Sequence, residues 1–357
     1  MSRFAYAPGI ALLLLLTAHA DEAKIPGLSP DAEAAARLQI FLDRAEFSPG
    51  EVDGRWGALT THVLALYRQA KGEPLKPEPK DKDGPPDMSG LDLSSIHPVF
   101  ITYKVTATDL EDVGKLAHSP AAEAKEKSLP YPNGMEAVAE KFHCSNAFLR
   151  ELNKGHSSEL HEGDILNVPN VTPFELSAVK ELTPGSNAAS ESTKEPAPEP
   201  KEKEKAKAGD KSPHHSPLPE PEPPLSIQVD THANILTLLQ KDKIIAVYPV
   251  TIGSHQTQSP IGEWKIESIT KFPNFRYDRE MLQHGERSGN YHVLPPGPRN
   301  PVGIIWVQLN KKGIGLHGTD DPDSIGRSAS HGCVRLANWD IYRLASRVRE
   351  GVPVTIK

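Results

Sequence analysis

Residues 235–252 decide the fold class: they read Ile235-Leu-Thr-Leu-Leu239, then Gln240-Lys-Asp-Lys243, then Ile244-Ile-Ala-Val-Tyr-Pro-Val-Thr-Ile252. Runs rich in β-branched residues, separated by a short polar turn, are typical of adjacent antiparallel strands. Similar runs at 227–229, 264–266, 303–309 and 313–316 predict more strands. An amphipathic helix follows, with Asn338 as its expected N-cap, and Gly351 and Pro353 end it. The sequence therefore predicts a mainly β domain over residues 225–357.

Length and composition describe the rest of the chain. Its 357 residues predict two or three domains, and the 34 prolines are about twice the ordinary usage. Two Pro-, Glu- and Lys-rich stretches, at 73–98 and 183–224, have almost no apolar residues to bury, and we expect semi-extended linkers there. The net charge of −7 leaves no basic footprint, which argues against nucleic acid as a partner.

The first 20 residues have the parts of a secretory signal peptide. A short positive start precedes an apolar run at 10–16, and Ala18 and Ala20 stand at the −3 and −1 positions of a cleavage site. The alternative is an N-terminal membrane anchor, but the apolar run is shorter than the ~20 residues that a membrane span needs. We expect an exported chain whose mature form has no transmembrane segment.

Residues 29–72 predict a small helical module. Ser29-Pro30 supplies an N-cap and a first-turn proline, and a second helix carries Leu59, Val63, Leu66 and Tyr67 on one face. Between the helices, Val52-Asp-Gly-Arg-Trp-Gly57 resembles the turn of the three-helix type of peptidoglycan-binding domain. That resemblance implies a module that binds peptidoglycan.

Residues 99–172 predict a second small module. A strand at 100–105, helical patterns at 135–142 and 148–153, and a closing Gly163-Asp-Ile-Leu-Asn-Val-Pro169 follow in order. This order resembles the LysM module, which binds N-acetylated glycan chains. The chain departs from it at 106–133, where a long polar stretch replaces a brief turn; that insertion is either decoration or a change to the glycan groove. We expect Cys144, inside this module, to be a buried thiol.

The residues with chemical potential lie between the last strands and the C-terminal helix. His317-Gly318-Thr319 is followed by Ser330-His-Gly-Cys-Val-Arg-Leu336. A thiol has an ordinary pKa near 8.5, so a nucleophilic cysteine needs an activating group, and imidazole is the usual one. Glycine beside the nucleophile permits a sharp turn that leaves N–H groups to face an oxyanion. The pattern predicts acyl transfer at Cys333.

Two other interpretations of Cys333 stay open from the residues alone. His317, His331 and Cys333 are three residues of types that bind zinc, although no fourth ligand stands at a close spacing. Cys333 and Cys144 are the two cysteines of the chain, and an oxidising compartment would permit a disulfide between them.

The C-terminal motifs resemble those of the YkuD-type L,D-transpeptidases. The resemblance lies in Ser259-Pro-Ile-Gly262, Pro295-Pro-Gly-Pro-Arg-Asn-Pro-Val-Gly303 and the two motifs around His317 and Cys333. It implies a β-sandwich with mixed sheets and one main helix, and chemistry without metal or cofactor. It also implies the following site residues: Cys333 as nucleophile; His317 as base, oriented by the carbonyl of Gly318; the N–H groups of His331, Gly332 and Cys333 as oxyanion hole; Ser330, Arg335 and Tyr291 as substrate-binding residues.

Two assignments within this site have structural alternatives. Arg335 is expected to hold a substrate carboxylate, but a salt bridge to Asp320, Asp321 or Asp340 would give it a structural role instead. Residues 270–300, which include Tyr291, form either a lid over the donor peptide or an ordinary packed loop.

The function implied by the resemblance is that of an exported L,D-transpeptidase in the periplasm or cell wall. Its cysteine would accept a peptidoglycan stem peptide, release the terminal D-Ala and pass the acyl group to an amine. The implied partners are stem peptides and glycan strands, with a lipoprotein lysine as one acceptor. The alternatives are a catalytically weak murein-binding scaffold and an L,D-carboxypeptidase that uses water as acceptor.

Overall fold

A computed structural model describes residues 25–77, 79–186, 224–253, 259–326 and 332–357. The helices are α1 (Pro30–Arg44), α2 (Ala58–Ala70), α3 (Ala107–Leu110), α4 (Pro120–Glu123), α5 (Gly134–Lys141), α6 (Asn146–Leu152), α7 (Ala178–Glu181), α8 (Arg279–His284) and α9 (Asn338–Arg347). The strands are β1 (Phe100–Lys104), β2 (Ile165–Pro169), β3 (Leu225–Asp230), β4 (Ile235–Gln240), β5 (Lys243–Pro249), β6 (Gly262–Lys271), β7 (Phe275–Tyr277), β8 (His292–Leu294), β9 (Ile305–Leu309), β10 (Gly315–His317), β11 (Val334–Arg335) and β12 (Pro353–Ile356).

Two of the sequence predictions fall outside these ranges. The expected signal peptide at 1–20 and nearly all of the linker at 183–224 are not among the described residues. Within the described ranges, no helix combines the length and the apolar character that crossing a membrane requires.

The C-terminal domain is built on one mixed sheet, which confirms the mainly β prediction. Eight strands lie in the order β11-β10-β9-β6-β12-β3-β4-β5, with parallel pairs at β10–β11 and β12–β3. The two-layered sandwich implied by the resemblance stays a prediction, and in the described residues these eight strands form one continuous hydrogen-bonded sheet. The long strand β6 makes this possible: it pairs first with β12 and then, beyond a register shift between Ile266 and Ser268, with β9.

Helix α9 is the main helix of this domain, as predicted. It buries Trp339, Ile341 and Leu344 in the apolar core against the sheet. The expected N-cap was wrong: Ala337 caps the helix, and Asn338 is its first residue. The Asn338 side chain is instead buried, where its Oδ1 accepts a hydrogen bond from the Ile304 N–H at 3.2 Å.

The core of the C-terminal domain includes residues from before the linker. Phe174, Val179 and Leu182 are at most 6% exposed and belong to the same apolar cluster as the sheet and α9. The segment after β2 is therefore part of the C-terminal domain, although about 40 residues of chain separate it from β3.

The two N-terminal helices also pack on this domain. Leu38, Leu42 and Val63 share an apolar cluster with Ile235 of β4 and Val247 of β5. Phe47, which follows α1, forms a β-bridge with Val247. Since a pair of short helices buries little apolar surface alone, this shared cluster supplies the burial that the module needs.

The described residues of the predicted linker 73–98 contain no helix or strand, but several of them pack against the rest of the structure. Ile96 is 2% exposed, and Met88, Leu91 and Leu93 pack against the cluster of the first two helices. The Arg68 guanidinium donates to the Asp87 and Ser89 carbonyl oxygens, at 3.0 and 2.9 Å. A few apolar residues and one buried arginine thus fix a segment whose composition predicts disorder.

Residues 99–172 have the predicted order of strand, two helices and strand. Strands β1 and β2 pair antiparallel, with Phe100 opposite Pro169, and α5 and α6 pack beside them. The insertion at 106–133 holds the short helices α3 and α4. Cys144 is 2% exposed, as expected, and both cysteines are free thiols, which excludes the disulfide between Cys144 and Cys333.

A buried carboxylate joins all three segments. Asp43 on α1 is 0% exposed and accepts two hydrogen bonds from the Arg343 guanidinium on α9, at 2.9 and 3.0 Å. A third comes from His143 Nδ1 at 3.0 Å, and the His143 ring stacks on Trp339. Burial alone would raise the pKa of Asp43, but the attraction of Arg343 and His143 outweighs it and holds that pKa well below its usual range. Burial lowers the pKa of His143, so its imidazole is neutral at pH 7 and Arg343 is the compensating charge.

We expect Asp43→Asn to destabilise the full chain by about 3–5 kcal/mol at pH 7, because it leaves the Arg343 charge buried and unpaired. Since the folded-state pKa of Asp43 is lowered, its contribution is complete above the ordinary pKa of ~3.9 and is lost as the pH falls below that value. Urea unfolding at several pH values measures both effects.

The matched control is Glu33→Gln, which breaks the exposed pair with Arg37 four residues along α1. That change should cost less than about 1 kcal/mol. Equal destabilisation by the two variants would show that the pair between Asp43 and Arg343 does not join the segments energetically.

Candidate active site

Two short parallel strands bring the predicted catalytic residues to one face of the sheet. In the register of β10 and β11, Leu316 lies opposite Val334 and His317 opposite Arg335. Leu316 and Val334 are both 0% exposed and point into the apolar core. Because side chains alternate along a strand, His317, Arg335 and Cys333 lie on the other face.

The local geometry fixes the His317 ring and its tautomer. Nδ1 lies 2.6 Å from the carbonyl oxygen of Gly318, and the ring stacks on the Trp306 indole at 5.2 Å between centroids. Since a carbonyl oxygen only accepts hydrogen bonds, Nδ1 carries the proton and Nε2 has the lone pair. The structure thus shows the contact to Gly318 that the resemblance implied.

The backbone that carries this carbonyl is held by close packing. A Cβ on Gly318 would lie 2.1 Å from Asn338 Oδ1, and one on Gly303 would lie 2.5 Å from Gly318 Cα. Only glycine permits both approaches. Asn338, at the start of α9, therefore fixes the position of the residue that orients His317.

The resting site holds a neutral imidazole and a neutral thiol. Burial lowers the pKa of His317 to about 4, helped by the charge of Arg335, although the hydrogen bond to Gly318 opposes it. Burial raises the pKa of the Cys333 thiol to about 11, against a backbone hydrogen bond from Gly315 and the charge of Arg335. Only about one molecule in 10⁴ would carry the thiolate at pH 7, so the nucleophile must lose its proton during the reaction.

Cys333, His317 and Arg335 line one cleft of about 770 Å³. Part of the wall comes from residues 270–300, the segment predicted to be either a lid or a packed loop; it contains β7, α8 and β8 and is called the lid below. The lid residues lining the cleft include Arg276, Tyr277, Asp278, Met281 and Arg287. This segment and the two predicted catalytic side chains therefore line one space, which is large enough for a peptide.

Asp278 organises the lid. Its carboxylate caps α8 at the Met281 N–H, accepts hydrogen bonds from the Ser288 N–H and hydroxyl, and pairs with Arg276 at 3.0 Å. These bonds more than offset the effect of burial and lower the pKa of Asp278 well below its usual range. The carboxylate is therefore ionised at neutral pH and holds the lid together.

Arg335 lies where both of its predicted roles are possible. Its backbone pairs with Thr251 through two hydrogen bonds of 2.9 Å, and its side chain lines the cleft. Burial lowers the pKa of Arg335, while Asp320, Asp321 and Cys333 oppose that shift. The third alternative partner, Asp340, is instead fully buried beside Arg343, at 3.8 Å.

The remaining predicted site residues are placed less centrally. Tyr291 is 43% exposed on the lid, and the Arg276 guanidinium lies 3.5 Å from the centre of its ring; it is not among the residues that line the cleft. Gly332 has φ +110°, a conformation that favours glycine. Ser330 and His331 lie outside the described residues.

The zinc interpretation includes His331 and so lies partly outside the described residues. Within the part of the chain that the structure describes, no group of three or more His, Cys, Asp or Glu side chains could hold a metal ion.

Sequence reasoning missed Trp306, Asn338 and the lid arginines Arg276 and Arg287. Trp306 alternates with the buried Ile305 and Val307, which predicts that its ring lies on the face opposite the core. This alternation is visible in the sequence and could have identified Trp306. The contact of Asn338 with Gly318 joins distant parts of the chain and has no local signal.

Comparisons with known proteins find relatives of the C-terminal part of the chain. Residues 224–356 match the YkuD family, described as an L,D-transpeptidase catalytic domain. The L,D-transpeptidase named YkuD of Bacillus subtilis (strain 168) is 35% identical over 133 residues, which cover 37% of this chain and 66% of that protein. The L,D-transpeptidase named ErfK/SrfK of Escherichia coli (strain K12) is 32% identical over 117 residues, 31% of this chain and 37% of that protein.

Two solved structures show a limited similarity to the chain. An L,D-transpeptidase from Mycobacterium smegmatis has a TM-score of 0.31 and 16% identity, covering 38% of this chain and 59% of that one. L,D-transpeptidase 3 from Mycobacterium tuberculosis, in complex with a faropenem-derived adduct, has a TM-score of 0.32, 16% identity and coverages of 38% and 60%. The chain spans about 66% of YkuD and a smaller share of ErfK/SrfK.

Proposed function

We propose that this protein, whose residues 224–356 belong to the YkuD-type L,D-transpeptidase family, transfers peptidoglycan stem peptides through a thioester on Cys333. The observation that carries the proposal is the shared cleft: Cys333 and a His317 of fixed tautomer lie on one face of adjacent strands and line the same space. A thiol and a neutral imidazole that line one cleft are the two groups that cysteine acyl transfer requires.

The proposed reaction begins with proton transfer. His317 Nε2 takes the proton of the Cys333 thiol as Sγ attacks the carbonyl carbon of the third stem residue. Collapse of the tetrahedral intermediate breaks the amide bond to the terminal D-Ala, and His317 gives its proton to the leaving amine. An acceptor amine then attacks the thioester, loses its proton to His317, and Cys333 recovers it as the thiol.

The N–H groups of Gly332 and Cys333, with that of His331, are the proposed oxyanion donors. Gly318 contributes by orienting His317, and Ser330 and Tyr291 remain proposed substrate contacts. This chemistry uses no metal or cofactor. In the resting protein the pKa of His317 is about 4. A residue that acts first as a base and then as an acid works best with a pKa near the operating pH, which is higher. The thiolate formed beside it would stabilise the imidazolium.

Product analysis tests the proposed function. The full chain is incubated with a stem tetrapeptide and with a second stem whose amine is the acceptor. It should release D-Ala and form a peptide dimer. Mass spectrometry of the products distinguishes the outcomes. Release of D-Ala without a dimer would indicate water as the acceptor, and absence of release would refute the proposal.

Arg335 is proposed to bind a carboxylate of the donor stem. A charge-assisted contact is worth about 1.5–3 kcal/mol, so Arg335→Ala should lower kcat/KM by about 10–100-fold on the natural stem. On the carboxyl-amidated stem the same variant should lose a much smaller factor in kcat/KM. The two enzymes and two substrates together make a double-mutant cycle. Equal losses on both substrates would show that Arg335 does not contact that carboxylate.

The N-terminal segments are proposed to hold the enzyme on peptidoglycan. Export through a signal peptide would bring the chain to the periplasm or cell wall, and the peptidoglycan-binding-like and LysM-like modules would bind glycan strands there. A Cys333→Ala chain, which cannot turn over, should sediment with purified sacculi and stay in solution without them. Failure to sediment would remove the anchoring role.

A further inference from the structure

The insertion at 106–133 contacts the C-terminal domain at the base of the lid. Helix α4 of the insertion packs against the lid strand β8. Leu129, which is 2% exposed, donates its N–H to the Pro296 carbonyl at 2.9 Å and accepts from the Arg299 N–H at 3.1 Å. The insertion is therefore hydrogen-bonded, backbone to backbone, to the loop 295–303.

This contact is unusually close at one residue. Gly297 has φ +145°, and a Cβ there would lie 2.3 Å from the Leu129 carbonyl oxygen. A side chain at this position would push the insertion away.

Arg299 extends the contact to the cleft. Its guanidinium donates to the backbone carbonyl of Asp320, and it lies 3.6 Å from the Glu136 carboxylate on α5. Asp320 lines the cleft with Cys333 and follows His317 by three residues. One arginine thus connects the second module to the backbone segment that begins at the catalytic histidine.

The loop 295–303 also contacts the residues that orient His317. Asn338 Nδ2 donates to the Pro298 carbonyl at 3.5 Å, and Gly303 packs on the Gly318 backbone that orients the imidazole. The loop 295–303 therefore touches the insertion on one side and the His317 support on the other.

We propose that the insertion is a brace for the active site, and that Arg299 is a positioning residue for His317. Leu129 and Glu136 hold the loop 295–303 and the backbone at Asp320 from the second module. Acyl transfer at Cys333 then depends on docking of a module that carries none of the catalytic residues. The effect on catalysis rests on the proposed function. The holding of the loop 295–303 and of the backbone at Asp320 by the second module does not.

The test compares Arg299→Ala and Arg299→Lys in the full chain with Arg150→Ala, which changes an exposed arginine on α6. Hydrogen exchange followed by mass spectrometry reports the mechanical effect, and acylation kinetics on a stem peptide at pH 7 and pH 9.5 report the catalytic one. Arg299 is 30% exposed in its side chain, so its replacement should leave the fold intact.

We expect Arg299→Ala to raise exchange about tenfold in peptides covering 295–303 and 317–326, with no change in α1 and α2. The acylation kcat should fall about tenfold at pH 7 with KM little changed, and less at pH 9.5, where the thiol needs the base less. Arg299→Lys should recover part of both effects, and Gly297→Ala should reproduce those of Arg299→Ala.

Unchanged exchange in these peptides would overturn the brace. If the hydrogen-exchange rate rises but the acylation rate of Arg299→Ala stays within twofold of that of Arg150→Ala, Arg299 does not position His317. If the unaltered chain forms no acyl-enzyme at all, the proposed function fails, and the exchange measurements still decide whether the insertion braces the loop.

Discussion

Replacing Cys333 by alanine should abolish covalent labelling of the protein by a carbapenem. In our account this thiol is the atom that opens the β-lactam ring and keeps the acyl group. Intact-protein mass spectrometry should show one adduct on the unaltered chain and none on Cys333→Ala. The loss should be complete rather than partial, because Cys144, the other thiol that could form a thioester, is only 2% exposed.

Cys144→Ala is the matched control for this experiment. Cys144 is the other free cysteine, but it is 2% exposed, and burial raises the pKa of its thiol well above the ordinary value. A thiol that the β-lactam cannot reach should not react, so Cys144→Ala should retain the adduct. The reverse pattern, with labelling lost in Cys144→Ala alone, would refute the assignment of the nucleophile.

Replacing His317 by alanine should lower the acylation rate at pH 7 by about 10²–10⁴-fold, the usual contribution of a positioned base. The variant must rely on the rare thiolate, so its rate should rise about tenfold per pH unit towards the Cys333 pKa of about 11. The unaltered enzyme needs neutral His317, whose pKa is about 4; its rate should be flat above pH 5 and fall only in stronger acid.

The deficit of His317→Ala should therefore shrink steadily between pH 6 and pH 10. His232→Ala, at an exposed histidine in the turn between β3 and β4, controls for loss of an imidazole and should match the unaltered chain. A deficit that is constant with pH would mean that His317 supports the structure or binds substrate rather than accepting the thiol proton.

The strands, and the candidate catalytic residues His317 and Cys333, could be identified in the sequence because both have local signals. The β-branched runs around Ile235 and Ile244 became β4 and β5, and the motifs around His317 and Cys333 became adjacent strand ends on one cleft. Asn338 shows the limit of such signals. Because it stands at the start of a helix, this asparagine was predicted to be an N-cap. In the structure its side-chain oxygen instead accepts a hydrogen bond from the Ile304 N–H, and only the tertiary fold brings Ile304 close to it.

The docking of the N-terminal segments could not be predicted from local patterns. Asp43 and Arg343 are 300 residues apart in the chain, and neither has a sequence context that identifies its partner. The segment 73–98 was expected to be a free linker by composition, yet Ile96 and a few neighbours suffice to anchor it. The insertion at 106–133 was recognised only as a departure from a pattern, and its contact with Gly297 gives it a position in the fold.

The most direct test of the central claim is to trap the acyl-enzyme made from a stem tetrapeptide. The full chain, mixed with that peptide without an amine acceptor and quenched in acid, should gain the mass of the stem minus its terminal D-Ala. Proteolytic mapping should place this mass on the peptide that contains Cys333. Release of D-Ala without any adduct on Cys333, or an adduct on another residue, would contradict the account.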